Sequence, residues 1–283
     1  MGRGRAEEAA FRALMLLSVA LVVASLAAIV VVVLLRGLPA LNWAMVTQLP
    51  KGGYYLGKEG GVLNAIVGSL CLAFGATGAA LLLSIPIVFY LQRDYSEGAQ
   101  LARWVRLSLD VLWGIPSIVY GAFGFVIMLY LGLRASLLGG IIALTLVELP
   151  IMARAMDEVV RMVPAELKEA AYGLGATRLE TSLHVVWRQA LPGIVTAILL
   201  AFGRGIGDAA SVLFTAGYTD NLPSSLTEPV ACLPLAVFFQ LGTPYPEVQQ
   251  RAYASGAILL LIVTLVSVVS RILSRRFEHY VSR

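Results

Sequence analysis

The sequence predicts an all-α, polytopic membrane protein with six transmembrane helices, and three observations carry that expectation. The 283 residues are 59% hydrophobic and only 13% charged, with a mean hydropathy of +0.83, whereas a soluble domain carries about 25% charged residues. Apolar runs long enough to cross a bilayer recur along the chain, and Lys and Arg gather between alternate runs. So few charges cannot clothe a soluble core of this size, and disorder needs the opposite composition. Two cysteines, Cys71 and Cys232, and two histidines, His184 and His279, give neither a disulfide framework nor a metal-ligand spacing. No Ser/His/Asp arrangement stands out either, so the chain is read as carrying neither enzyme chemistry nor a cofactor of its own.

A spanning helix needs about 20 apolar residues, because each rises 1.5 Å through a core about 30 Å thick. The first run, 14–35, follows Arg3, Arg5 and Arg12 and is too long for a signal-peptide core, so it is read as a retained helix. The remaining spans fall at 62–91, 107–133, 137–155, 190–216 and 252–273. Pro86, Pro116 and Pro150 lie in or near them, which membrane helices tolerate. Fifteen of the 21 Lys and Arg then fall on the side of the N-terminus, against five on the other, with Arg204 inside a span. That asymmetry puts both termini in the cytoplasm. It also accounts for the net charge of +4 without nucleic acid.

Two loops and the interfaces follow. Gly52 to Lys58 reads GGYYLGK, the shape of a phosphate loop, but Glu59 stands where a magnesium-holding Ser or Thr belongs and no apolar strand precedes it. It is not read as a nucleotide site. The 229–241 segment is apolar but too short to span, and is expected at the interface or against a partner subunit. Trp104, Tyr245, Phe277 and Tyr280 sit where interfacial aromatics belong.

Between the fourth and fifth spans the chain is not linker-like. Pro164 stands at a natural helix start and the good helix formers Ala165 to Ala171 follow it. Gly173 and Gly175 break that helix. Thr177 and Glu180 have the spacing of a capping box for the next one. Two short helices joined by a glycine turn are expected under the membrane.

Glu169 to Ile194, EAAYGLGATRLETSLHVVWRQALPGI, resembles the EAA loop of permease subunits of bacterial ABC importers. Glu169, Ala170, Ala171, Gly175 and Val185 fall on that family's spacing. Trp187 and Arg188 replace its Leu-Pro, and Leu191-Pro192 follows four residues later. The resemblance implies a type I ABC importer permease fold whose cytoplasmic coupling helix docks on an ATPase subunit. Leu109 to Val119, Leu149 to Pro164 and Pro229 to Pro234 are similar to segments of PstA-type phosphate permeases, extending the likeness over roughly 60–275.

On that resemblance the chain divides into an N-terminal helix and outer loop, 1–61, a permease domain, 62–275, with its coupling loop at 156–189, and a cytoplasmic tail, 276–283. It implies an inner-membrane subunit working with an ATP-binding subunit dimer that holds the ATP and Mg, a second PstC-like permease subunit, an external phosphate-binding protein, inorganic phosphate as cargo and membrane lipid around it.

The fifth span carries Gly203-Arg204-Gly205-Ile206-Gly207-Asp208. An arginine at mid-membrane costs about 2.5–3.5 kcal/mol on insertion scales, so it should face protein or a water-filled path. Asp208, four residues on, falls on the same helix face and can pair with it. Gly203 and Gly207 form a G-x-x-x-G that would admit another helix. The residues leave two roles open, an ion pair that locks packing or a substrate path. Arginine suits the second, since it matches phosphate oxygens with two donors and a paired carboxylate keeps the hold weak enough to release the anion. Such an importer could equally serve sulfate, molybdate or phosphonate. An ion-coupled secondary transporter is the alternative from another class, although no inverted repeat is seen. Glu148, beside Pro150, is expected at the membrane surface in a structural or interfacial role.

Overall fold

In the computed structural model, residues 2–51, 59–92 and 100–278 are described. Five helices are long and apolar enough to cross a membrane, or six spans if a bent pair of helices counts as one. Helix α1 covers Gly2–Gly37. Its most apolar stretch buries nothing against the rest of the chain, so this surface is left for lipid or another subunit. Its far end is anchored. Arg36 donates to the Tyr253 hydroxyl at 3.1 Å and lies over the ring. Gly37 meets the backbone of Tyr253 so closely that a Cβ would stand 2.5 Å from its carbonyl oxygen.

A short helix α2, Trp43–Thr47, is capped by Asn42, whose side chain accepts from the Met45 amide at 2.8 Å. Strands β1, Pro50–Lys51, and β2, Glu59–Gly60, then pair antiparallel. The phosphate-loop look-alike at 52–58 lies outside the described residues.

Helix α3, Leu63–Leu91, buries a stripe of small residues that includes Ala65, Gly68, Ser69, Ala73, Ala76, Thr77 and Ala80. Small side chains let helix backbones approach where lipid gives no hydrophobic drive. The closest approach is at Gly68, where a Cβ would lie 1.9 Å from the Ala231 carbonyl oxygen.

The third span departs from the expected continuous helix at 107–133. It is two helices, α4, Gln100–Gly114, and α5, Ser117–Tyr130, bent by 100°. Pro116 is the cause: it has no amide hydrogen to donate and pushes Ile115 out of the helical region. Helix α6, Leu137–Arg161, begins at its Ser136 cap and runs six residues beyond its expected end. It is the most deeply enclosed span, packed against α3, α4, α5 and the later helix Trp187–Ile206.

After α6 the chain follows the expected pattern closely. Helix α7, Ala165–Gly173, starts directly after Pro164, and Gly175 takes the left-handed conformation at φ 86°. Thr177 and Glu180 form the full capping box. A π-helical turn at Thr181–Val186 leads into α8, Trp187–Ile206. The fifth span was expected to continue to 216, but α8 stops at Ile206. Three glycines in five residues weaken the helix there. The Asp208 carboxylate also accepts from the Ser211 amide at 3.0 Å, a local bond that competes with the helical ladder.

Helix α9, Leu233–Leu241, forms within the 229–241 segment. Its first turn is buried in this same chain, with Leu233, Leu235 and Ala236 fully buried, while Phe238 is 56% exposed. Its first amide is satisfied by the Ser69 hydroxyl of α3 at 2.8 Å, and Met45, Ala65, Ala254 and Ile258 pack around it. Helix α10, Pro246–Glu278, closes the bundle. Cys71 and Cys232 are both free.

Candidate substrate path and coupling surface

Arg204 lies in the last turn of α8. Helical structure begins at Arg178, so the 26 residues between them place it about 39 Å along the span. That is close to the far end, not at the middle as the expected start at 190 implied. Its side chain is 51% exposed in the isolated chain, and Nη1 stands 3.5 Å from Asp208 Oδ1. The pair therefore forms, but across the helix end and not along one helix face.

Asp208 is 4% exposed and already well satisfied. Ser117 Oγ donates to Oδ1 at 2.9 Å and the Ser211 amide donates to Oδ2. Its hold on the guanidinium is consequently loose, with the arginine left facing out. Ser117 was not foreseen. It opens α5 immediately after the Pro116 bend, and only the break in the third span brings it to Asp208.

The glycine pattern is used differently from expectation. A Cβ at Gly203 would meet nothing, and one at Gly207 would meet only the backbone oxygens of its own turn. Among the described residues no helix enters the G-x-x-x-G, so the face beside Arg204 stays open. The close approach is at Gly205, against Glu148 of α6. Glu148 is fully buried and accepts from Thr77 Oγ1 of α3 at 2.8 Å. The interfacial position expected for it is therefore wrong, because α6 extends well past it and three helices close over it.

The loop resembling a coupling helix is exposed along α7. Glu169, Ala170 and Gly175 are exposed and Ala171 is half-buried, while Leu174 at the tip is 90% exposed. Both flanks are tied to the bundle. Ser182 donates to Gln92 at 2.6 Å. Trp187, which stands in place of the family's leucine, stacks on Phe89 at 4.6 Å. An ion network that sequence reading missed fixes the end of α6 that leads into α7. Arg106 of α4 contacts Asp157 at 2.9 Å. Arg154 reaches Asp110 of α4 at 2.9 Å, Asp157 at 3.4 Å and Glu158 at 3.5 Å. The Arg154 contacts with Asp157 and Glu158 follow helical i,i+3 and i,i+4 spacing within α6, but the bonds to Arg106 and Asp110 join two helices and are not legible locally.

Over residues 84–279 the chain matches the family described as binding-protein-dependent transport system inner membrane component. It is 32% identical to the phosphate transport system permease protein PstA of Yersinia pestis, over 86% of this chain and 82% of that protein. It is 33% identical to the PstA of Xylella fastidiosa strain Temecula1, over 85% and 83%, and 34% identical to PstA 1 of Mycobacterium tuberculosis strain CDC 1551, over 75% and 69%. Among solved structures, an inward-facing form of the MetNI methionine ABC transporter aligns with a TM-score of 0.63 at 18% identity, covering 76% of this chain and 95% of that one. A crystal structure of an amino acid ABC transporter with histidines aligns at 0.58 and 18%, covering 76% and 92%. The bent third span, the exposed helix between the fourth and fifth spans and the buried first turn of α9 thus sit in the fold of ABC importer permeases, and the chain belongs to the family of binding-protein-dependent transport system inner membrane components.

Proposed function

We propose that this chain is one permease subunit of an ATP-driven importer of inorganic phosphate. The observation that carries the reading is Arg204, a half-exposed guanidinium at the end of a spanning helix, balanced by a carboxylate whose oxygens are occupied by Ser117 and Ser211. A fixed planar cation with spare donors takes a phosphate oxygen pair, and the nearby Asp208 keeps that hold reversible. The names of the PstA relatives support phosphate as cargo.

In this reading the open Gly203–Gly207 face and the apolar length of α1 meet a second, PstC-like permease subunit and lipid. Glu169, Ala170, Ala171 and Gly175 dock on one subunit of an ATPase dimer, which supplies ATP and Mg, and an external binding protein delivers the phosphate. Closure of the ATPase subunits moves α7, the attached spans tilt, and access to Arg204 alternates between the two faces. In this reading both termini lie in the cytoplasm, which the Lys and Arg distribution supports.

The test is uptake of labelled phosphate by the complex reconstituted with its partners, with and without excess sulfate. ATP-dependent uptake that resists sulfate is the expected result. Uptake blocked by sulfate would move the assignment to another oxyanion, and uptake without ATP would overturn it.

A further inference from the structure

Glu148 is the buried charge that the proposed path leaves without a task. It lies near the midpoint of α6 and is fully buried. Oε2 accepts from Thr77, while Oε1 has no hydrogen-bond partner among the described residues. That oxygen is aimed at the backbone of Gly205. A Cβ built on Gly205 would lie 1.8 Å from Oε1 and 2.8 Å from Cδ. The carboxyl therefore fills the space that any side chain at 205 would need.

What it touches matters. Gly205 directly follows Arg204, and its carbonyl accepts from the Asp208 amide at 3.1 Å. The contact is thus made on the backbone that holds both members of the candidate path. A carboxyl enclosed in this way is costly, and an apolar side chain would fill the notch at less cost. Nine residues beyond Glu148 the same helix carries Asp157, clamped by Arg106 and Arg154, and α7 follows after Pro164. Helix α6 is continuous through Pro150, with the docking helix after one end and Gly205 against its middle.

We propose that Glu148 is a positioning residue that passes movement of α6 to the Arg204–Asp208 turn. The inference rests on the path reading of Arg204. Thr77 fixes the carboxyl laterally, and displacement of α6 displaces Gly205 because the carboxyl stands directly against its backbone. Arg204 and Asp208 move with it.

The experiment measures phosphate uptake and ATP hydrolysis in parallel on the reconstituted complex. Glu148→Ala empties the notch and should lower phosphate moved per ATP about tenfold while hydrolysis continues, the scale expected when a well-filled contact is lost. Glu148→Gln keeps the shape and the Thr77 bond and should behave close to wild type. Gly205→Ala should fail by collision, and Gly205→Ala combined with Glu148→Ala should recover, because the new methyl refills the notch. If Gly205→Ala does not assemble, assembly and transport by the double variant supply the same test.

Wild-type phosphate per ATP in Glu148→Ala, or a double variant no better than Gly205→Ala, would overturn the proposal. Arg204→Gln in the same assay separates the two levels. Normal uptake by that variant removes the path and this inference together. Lost uptake there, with an unresponsive Glu148 series, removes this inference alone.

Discussion

Arg204 illustrates how local satisfaction of a partner sets the strength of an ion pair. Asp208 spends its oxygens on Ser117 and Ser211, so the arginine contact stretches to 3.5 Å. Arg204→Gln should lower phosphate uptake by about ten- to a hundredfold in an assembled complex, from the 1.5–3 kcal/mol typical of a charge-assisted hydrogen bond. Unchanged uptake, with the complex recovered intact, would reduce the pair to a packing feature. Asp208→Asn should act in the opposite sense on binding. Its one remaining oxygen can still accept from the Ser211 amide, and its new NH2 can donate to the Ser117 hydroxyl, which accepts as well as donates. The competing charge is gone, so the half-saturating phosphate concentration should fall while turnover slows. Initial-rate measurements over a range of phosphate concentrations check both signs. A rise in half-saturation would show that the carboxylate helps to hold the anion.

At the scale of elements, the most legible features were those set by nearest neighbours in sequence. Pro164, Gly175 and the Thr177–Glu180 box mark helix ends by local sterics and local hydrogen bonds, and each does what the sequence leads one to expect. The third span reads as one apolar run because membrane helices tolerate proline, and nothing local distinguishes a kink from the 100° bend at Pro116. The burial of α9 and of Glu148 depends on which helices close over them, and that is non-local information. The ion network between α4 and α6 is of the same kind. Two predictions belong here. Gly175→Pro cannot adopt φ 86°, because the ring fixes φ near −65°. It should therefore remodel the turn below α7, sharply reducing co-purification of the ATPase subunits while membrane insertion persists. Full co-purification with full uptake would remove the docking role. Asp157→Ala leaves Arg106 and Arg154 without their shared buried acceptor, at a cost of about 1.5–3 kcal/mol. It should lower the thermal unfolding midpoint of the purified complex, and an unchanged midpoint would show that Asp110, Glu158 and solvent compensate.

The whole molecule reads as an incomplete object, in which apolar and charged surfaces are left for different surroundings. Among the described residues, helix α1 buries none of its most apolar stretch, the glycine face beside Arg204 meets no other helix, and Leu174 projects from α7 almost fully exposed. Membrane insertion orders these surfaces in space. With the bent pair counted as one crossing, the chain alternates direction with each span, so strands β1 and β2 and the turn bearing Leu174 lie on opposite sides of the bilayer. The Lys and Arg asymmetry predicts which side is which, since positive charge is retained in the cytoplasm. A membrane-impermeant thiol reagent tests this directly. Lys51→Cys, on the exposed β1 strand, should label in intact cells stripped of their outer envelope. Leu174→Cys should label only after the membrane is opened, and assembly with the ATPase subunits should then protect it. Cys232 is buried and Cys71 half-buried, so the parent chain gives the background. Labelling of Leu174→Cys from outside would invert the orientation and separate the docking helix from any cytoplasmic ATPase. Open access to it in the assembled complex would leave the orientation intact but place the ATPase contact elsewhere.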